Sequence, residues 1–175
     1  MTAIELRRAS TRDAPVLAAL AADHARYERL PAPPADHRKR LADLLACDAP
    51  PLVAWLAIEG GTDEALGYAS FTTDVATLSG DRYGHLDCLY VTASARGVGI
   101  GARLFACVAD HAAALGLARL EWQTPGWNDG ARRFYLREGA QGSEKIRFAL
   151  TLAERRGAGT RQAGQPPMSA PMTTL

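Results

Sequence analysis

Apolar residues along this 175-residue chain follow two periods, and the switches between them predict the order of elements. Ile4 and Leu6 alternate with Glu5 and Arg7, which predicts a short opening strand reaching Arg8, and Ser10 or Thr11 can cap a following helix. That helix is expected over about residues 13–29, where Leu17, Leu20, Ala21, His24 and Tyr27 recur at helical spacing. The spacing places a histidine and a tyrosine on or beside the buried stripe. Pro31, Pro33 and Pro34 break this helix, a shorter one follows over 37–46, and Pro50-Pro51 stop that in turn. Both helices are expected on the same side of the first strand.

Three runs at 52–58, 65–75 and 83–91 read as strands, and Gly60-Gly61 and Ser79-Gly80 between them predict hairpins and antiparallel pairing. Over 98–115, Ile100, Leu104, Val108 and Leu115 recur at helical spacing, and Gly116 supplies a stop. A strand is expected at 117–122, a last helix at 128–138 closed by Gly139, and a final alternating strand at 144–152. Residues 153–175 are rich in Gly, Pro, Ala, Gln and Thr without an apolar face, which predicts a disordered tail. The pattern therefore predicts one α/β (α+β) domain over 1–152, with a tail over 153–175 and no internal repeat.

Composition adds exclusions. Hydrophobic residues at 47% and charged residues at 22% are the balance of a folded protein and exclude collagen, wholesale disorder and disulfide scaffolds. Twenty basic residues against nineteen acidic ones leave a net charge of +1, too little to draw the chain to a phosphate backbone or an anionic membrane. Neither nucleic acid nor membrane is an expected partner. Cys47, Cys88 and Cys107 form no CxxC pair and are odd in number, so neither a metal site nor a disulfide framework is expected. The first ten residues lack the apolar stretch of a signal peptide, and the longest apolar run, 52–58, is far short of a membrane span, so the expected location is the cytoplasm.

The sharpest chemical signal is Arg96-Gly97-Val98-Gly99-Ile100-Gly101-Ala102, which follows a strand and opens a helix. Glycines let a backbone approach a ligand, and the unpaired N–H groups of a first helical turn attract phosphate. The same residues satisfy GxGxxA, and Glu121 lies about 20 residues on, as in a dinucleotide-binding fingerprint. Two features oppose that reading: Thr92 to Arg96 separate the strand from the first glycine, and hairpin strands rather than βαβ units precede it. A phosphate loop of the GxxxxGK[ST] kind is excluded because no Gly-Lys-Ser/Thr follows. A glycine-rich helix start without any ligand is the plainer alternative.

Arg96-Gly97-Val98-Gly99-Ile100-Gly101 resembles the R/Q-x-x-G-x-G/A pyrophosphate loop of the GNAT (Gcn5-related) N-acetyltransferases. Asn128, Ala131, Phe134, Tyr135, Gly139 and Ala140 resemble the N-x-x-A-x-x-F-Y-x-x-x-G-A run of that family's last helix. The two motifs stand in the right order and spacing, and the order of elements is similar from Ile4 to Leu152. Within the family, Leu86-Asp87-Cys88-Leu89-Tyr90-Val91, Phe134-Tyr135 and Tyr27-Glu28 look most similar to the diamine and spermidine/spermine acetyltransferase branch.

The resemblance implies a mixed, strongly twisted sheet with helices on both faces, splayed where the strand ending at Val91 leaves the strand around Leu120, with acetyl-CoA as co-substrate in the splay. It implies that the backbone of Gly97, Val98, Gly99, Ile100, Gly101 and Ala102 binds the pyrophosphate, that Leu89 and Val91 pair with the pantetheine arm, and that Arg96 contributes charge. Asn128 would contact the same arm, although helix capping explains an asparagine there equally well.

The implied reaction is direct attack of a primary amine on the thioester. An amine of pKa near 10.4 is neutral only about once in 10³ molecules at pH 7, a cost of about 4 to 5 kcal/mol, so a proton acceptor matters. Asp87 occupies the position where the polyamine branch carries a glutamate; it is one methylene shorter, which leaves direct transfer, a water relay and electrostatic holding of a cation all open. Tyr135 matches the acid that protonates the departing thiolate, with Phe134 assigned to the core. A backbone N–H near Leu89 would stabilise the oxyanion.

Tyr27, Glu28 and His85 are the expected acceptor contacts, and His24 and His85 could supply a second proton acceptor, though a histidine in a core is commoner. Trp127 is expected to pack at the helix entry. Cys88 and Cys107 read as small apolar side chains without acyl-enzyme chemistry. The expected acceptor is a polyamine, diamine or amino-acid-like small molecule. An aminoglycoside, a protein N-terminus, a lysine, or a catalytically silent acyl-CoA-binding role are the alternatives. A homodimer is implied by the resemblance alone.

Overall fold

The computed structural model describes residues 3–47, 49–150 and 152. Its five strands are β1 (Ile4–Arg8), β2 (Val53–Glu59), β3 (Ala65–Ala76), β4 (Asp81–Val91) and β5 (Leu120–Glu121). They form one sheet in the order β1-β2-β3-β4-β5, antiparallel throughout except for the parallel pair of β4 and β5. Four helices accompany them: α1 (Ala14–Tyr27), α2 (His37–Leu45), α3 (Ile100–Ala114) and α4 (Asp129–Arg137).

The unbroken apolar run at 52–58 is explained by burial on both faces of the sheet. Val53, Trp55 and Ala57 of β2 face one core, filled by Ile100, Leu104 and Val108 of α3. Ala54, Leu56 and Ile58 face the other, filled by Leu17 and Leu20 of α1 and Leu41 of α2. Helices thus cover both faces, with α1 and α2 together on one of them. The i, i+4 stripe of α3 ends at Ala112; Leu115, expected on it, is 51% exposed because it sits at the C-cap. The β1–α1 junction is fixed by Asp13, whose carboxylate accepts from the Ser10 N–H at 2.7 Å, the Ser10 hydroxyl at 2.9 Å and the Arg7 guanidinium at 2.6 and 2.9 Å. That arrangement is a capping box with a cation bound to it.

Two features of the sheet position the site. Gly84 allows close packing where β5 joins: a Cβ there would stand 2.7 Å from the Phe71 ring and 3.0 Å from Leu120. Beyond that point the pairing stops, because Gly84↔Leu120 and His85↔Glu121 are the whole β4–β5 register. From Leu86 onward β4 pairs with β3 alone, which is the expected splay, and for the same reason β5 is two residues long rather than the six expected over 117–122.

The chain divides into two units, Met1–Ala140 and Gln141–Leu175. In the second, the strand expected over 144–152 does not form within the described residues: 141–150 carry no helix or strand, and Ile146, Phe148 and Leu150 are 80%, 88% and 65% exposed. Alternation gives a strand a face but not the hydrogen-bonded neighbour that it also requires. The tail expected over 153–175 lies outside the described residues.

Candidate active site

The register between β3 and β4 slips by one residue at a single place. Ser70 faces Cys88 and Phe71 faces Leu86, so Asp87 has no partner and β4 is bulged there. The bulge reverses the alternation: Leu86 and Leu89 join the α3-side core, whereas Cys88 and Tyr90 pack on the α1/α2 side. Asp87 lies with Cys88, Ser70 and Tyr68 in a cleft bounded by Leu17 of α1 and Leu41 of α2. The Ser70 hydroxyl donates to Asp87 Oδ2 at 3.3 Å. Burial first, and then the Asp87 carboxylate, push the Cys88 thiol up to about 12, so it stays protonated and is no nucleophile.

A second group of polar and aromatic side chains adjoins this cleft. His24 bridges Tyr68 and Glu28, with Nδ1 at 3.1 Å from the Tyr68 hydroxyl and Nε2 at 3.4 Å from Glu28 Oε1, and its ring stacks on Tyr90 at 5.2 Å. Burial lowers the His24 pKa while the Glu28 carboxylate opposes that shift. Burial likewise raises the Tyr68 pKa. Tyr27, at the end of α1, packs on Tyr90 at 6.3 Å and on Trp127 at 5.8 Å. Tyr27 and Glu28 are therefore brought together with His24 on the Asp87 side of the sheet. His85 is not in this group, since its side-chain partners are Thr72 Oγ1 at 3.5 Å and Asp74 Oδ2 at 4.0 Å. Trp127 packs as expected and carries the Arg29 guanidinium 4.7 Å above its ring.

The glycine loop lies at the open end of β4. Gly97 and Gly99 have φ of 84° and 85°, and a Cβ on either would meet nothing within 4 Å. Both facts describe a backbone exposed to an approaching ligand. Gly99 caps α3, Ile100 is 1% exposed and anchors the loop in the core, and Val98 is exposed. The N–H groups of Ile100, Gly101 and Ala102, at the start of α3, precede any intrahelical acceptor. Along the splay, Leu89 and Val91 pair with Ala69 and Gly67 of β3 on one side only. Thr92 Oγ1 is a buried oxygen with no partner among the described residues. A dipolar loop in open space beside an unpaired strand edge fits a ligand with a pyrophosphate and an extended amide arm.

Arg96 makes its observed contacts with the Val91 carbonyl and the aromatic rings. Its Nε donates to the Val91 carbonyl at 2.9 Å, and its Cζ lies 4.5 Å over the Tyr27 ring and 5.7 Å from that of Tyr90. The guanidinium is thus folded toward the aromatic residues, because two rings and a free carbonyl offer it better contacts than solvent.

In α4 the capping reading of Asn128 is the observed one: its Oδ1 accepts from the Ala131 N–H at 3.1 Å, and the residue is buried. Gly139, at φ 88°, terminates the helix, with the Ala140 N–H reaching the Tyr135 carbonyl at 3.0 Å. Phe134 and Tyr135 do not divide simply into core and site. Phe134 lies 3.8 Å from where a Gly101 Cβ would be, over the glycine loop, whereas Tyr135 packs against Trp122 at 5.0 Å and Phe105 at 6.0 Å, beside the core. Burial, aided by Glu28 and Cys88, raises the Tyr135 pKa, so its hydroxyl carries a proton at neutral pH.

Glu121, the acid of the dinucleotide alternative, is held by Arg119 at 2.8 Å. Among the described residues there is no group of three or more His, Cys, Asp or Glu able to hold a metal, and no helix long and apolar enough to cross a membrane. Sequence reasoning missed Tyr68 and Ser70. The available signal was a tyrosine and a serine two residues apart, on one face of the otherwise apolar first half of β3.

A family model described as the acetyltransferase (GNAT) family matches residues 17–140. No curated protein matches the chain. Among solved structures, an integron cassette protein from the mobile metagenome of Cole Harbour Salt Marsh is 27% identical, with 84% of this chain and 90% of that one covered and a TM-score of 0.69. A ribosomal-protein-alanine N-acetyltransferase from Brucella melitensis biovar Abortus 2308 is 23% identical over 85% of this chain and 99% of its own, with a TM-score of 0.66. An aminoglycoside N-acetyltransferase in complex with CoA is 17% identical over 86% and 96%, with a TM-score of 0.71.

Proposed function

This chain belongs to the acetyltransferase (GNAT) family, an enzyme family that uses acetyl-CoA, and from that premise we propose that it acetylates a primary amine of a small cationic molecule by direct attack. The carrying observation is the bulge that turns Asp87 into the cleft beside Ser70, on the same side of the sheet as Glu28 and the rings of Tyr27 and Tyr90. Two carboxylates and aromatic faces on one side of the sheet favour a positively charged acceptor. A diamine or polyamine meets that requirement and accords with the resemblance of the β4 segment.

Acetyl-CoA, when bound, supplies the activated acyl group. The backbone N–H groups of Gly97, Gly99, Gly101 and Ala102, with those of Val98 and Ile100, hold its pyrophosphate, aided by the dipole of α3. The free edge of β4 at Leu89 and Val91 would orient the arm as an added strand would, and the Leu89 N–H would stabilise the oxyanion of the reacting carbonyl. Asp87 takes the proton that the ammonium must lose for the neutral amine to attack, directly or through water, while the Ser70 hydroxyl fixes one of its oxygens. Tyr135, which carries its proton at neutral pH, delivers it to the departing sulfur. Asn128 supports these groups by starting the helix that carries Tyr135.

Mass analysis after incubation with acetyl-CoA and a mixture of putrescine, spermidine, lysine, an aminoglycoside and a basic peptide tests the acceptor class. Acetylation of the diamine and polyamine is expected. Modification of the peptide alone would overturn the small-molecule reading, and modification of the aminoglycoside alone would move the acceptor to the class named for one of the similar structures.

A further inference from the structure

The Arg96 side chain stands at the boundary between the glycine loop and the aromatic group around Tyr27. It heads the glycine loop, yet its Nε–H is bonded to the Val91 carbonyl and its guanidinium lies over Tyr27 and beside Tyr90. The same two rings sit 6.3 Å apart and adjoin Glu28 through His24, which stacks on Tyr90 and contacts the Glu28 carboxylate. Rings flanking a cation with a carboxylate nearby are the chemistry that recognises an ammonium or guanidinium group. Here the protein supplies that group itself. The Val91 carbonyl bonded by Arg96 also belongs to the strand edge left open by the splay.

We propose that the Tyr27 ring face, beside Tyr90, is a cation site whose resident occupant is Arg96, and that a cationic acceptor enters by displacing this guanidinium. The inference rests on the acetyltransferase reading and adds a coupling to it. A pyrophosphate at the glycine loop attracts the guanidinium, and an extended arm along β4 competes for the Val91 carbonyl. Both draw Arg96 off the Tyr27 ring, so acetyl-CoA binding opens the acceptor's place. By linkage the acceptor must strengthen acetyl-CoA binding by the same factor. Like charge adds to the exclusion, because Arg96 over the Tyr27 ring repels an incoming ammonium.

Titration calorimetry with putrescine as the probe, in the absence and presence of saturating CoA, tests this on the full chain. In the wild type, CoA is expected to lower the putrescine Kd about tenfold. In Arg96→Gln, putrescine should bind the free protein about as tightly as it binds the CoA-loaded wild type, and CoA should then change its Kd less than twofold. Arg96→Lys, which keeps the charge, should retain part of the coupling and controls for folding. In addition, the Arg96 Nε–H resonance of arginine-labelled protein should shift on CoA binding as its bond to Val91 breaks. Coupling of equal size in the wild type and Arg96→Gln, or no coupling in the wild type, would overturn the proposal while leaving the acetyltransferase reading intact. Failure of the wild type to bind CoA would overturn both.

Discussion

Single residues here owe their properties to neighbours that differ in kind. Tyr135 and Cys88 are both held protonated by burial, and of the two Tyr135 is the proposed proton donor. Replacing Tyr135 with Phe is expected to reduce turnover about 10²-fold with CoA affinity unchanged, read by steady-state kinetics and calorimetry. Replacing Asp87 with Asn separates its possible roles: loss of a proton acceptor lowers kcat by about 10²-fold, whereas loss of a cation partner alone raises the amine KM with kcat kept. Asp13 gives a stability signal independent of chemistry. Its carboxyl is held well below the usual carboxylate range by the Arg7 guanidinium, so its contribution is present above about pH 4 and is lost as pH falls below that. Asp13→Asn should lower neutral-pH stability by about 1 kcal/mol and flatten the acid limb of a denaturation series.

Elements were legible where the pattern was long and its partners local. The stripe of α1, the proline stops, the hairpins of β2 to β4 and the capping glycines of α3 and α4 all followed from spacing and backbone chemistry, and they recur within one or two residues. The lengths of β5 and of the strand expected at 144–152 were not legible, since each depends on a neighbouring strand that the local sequence does not specify. The bulge was invisible for the same reason: Asp87 stands out only once Ser70 is set opposite Cys88. The Tyr68–His24 contact joins residues 44 apart and leaves no local trace. Close approaches of strands make further tests. A Cβ at Gly67 would stand 2.5 Å from the Tyr90 carbonyl oxygen and 3.1 Å from Val91 Cα. Gly67→Ala should therefore spread β3 from β4 beneath the site, costing about 1 to 3 kcal/mol in chemical denaturation. Gly99→Ala meets open space but a left-handed backbone, so about 1 kcal/mol of strain and weaker CoA binding are expected together.

At the scale of the whole molecule, the splayed sheet and the two cores are one device. The α3-side core anchors the loop through Ile100, the α1/α2-side core carries the aromatic groups proposed to meet the acceptor, and the bulge in β4 turns Asp87 to that same side. Deleting side-chain volume from the first core tests that dependence: Leu104→Ala, at a fully buried position, should cost about 2 to 5 kcal/mol. The central claim is acetyl transfer to a small cationic amine at this bulge, and continuous thiol release from acetyl-CoA with putrescine or spermidine tests it most directly. The account predicts amine-dependent, saturable release that rises with pH as the amine deprotonates and falls sharply in Asp87→Asn. Acetyl-CoA binding with no release for either amine would contradict it.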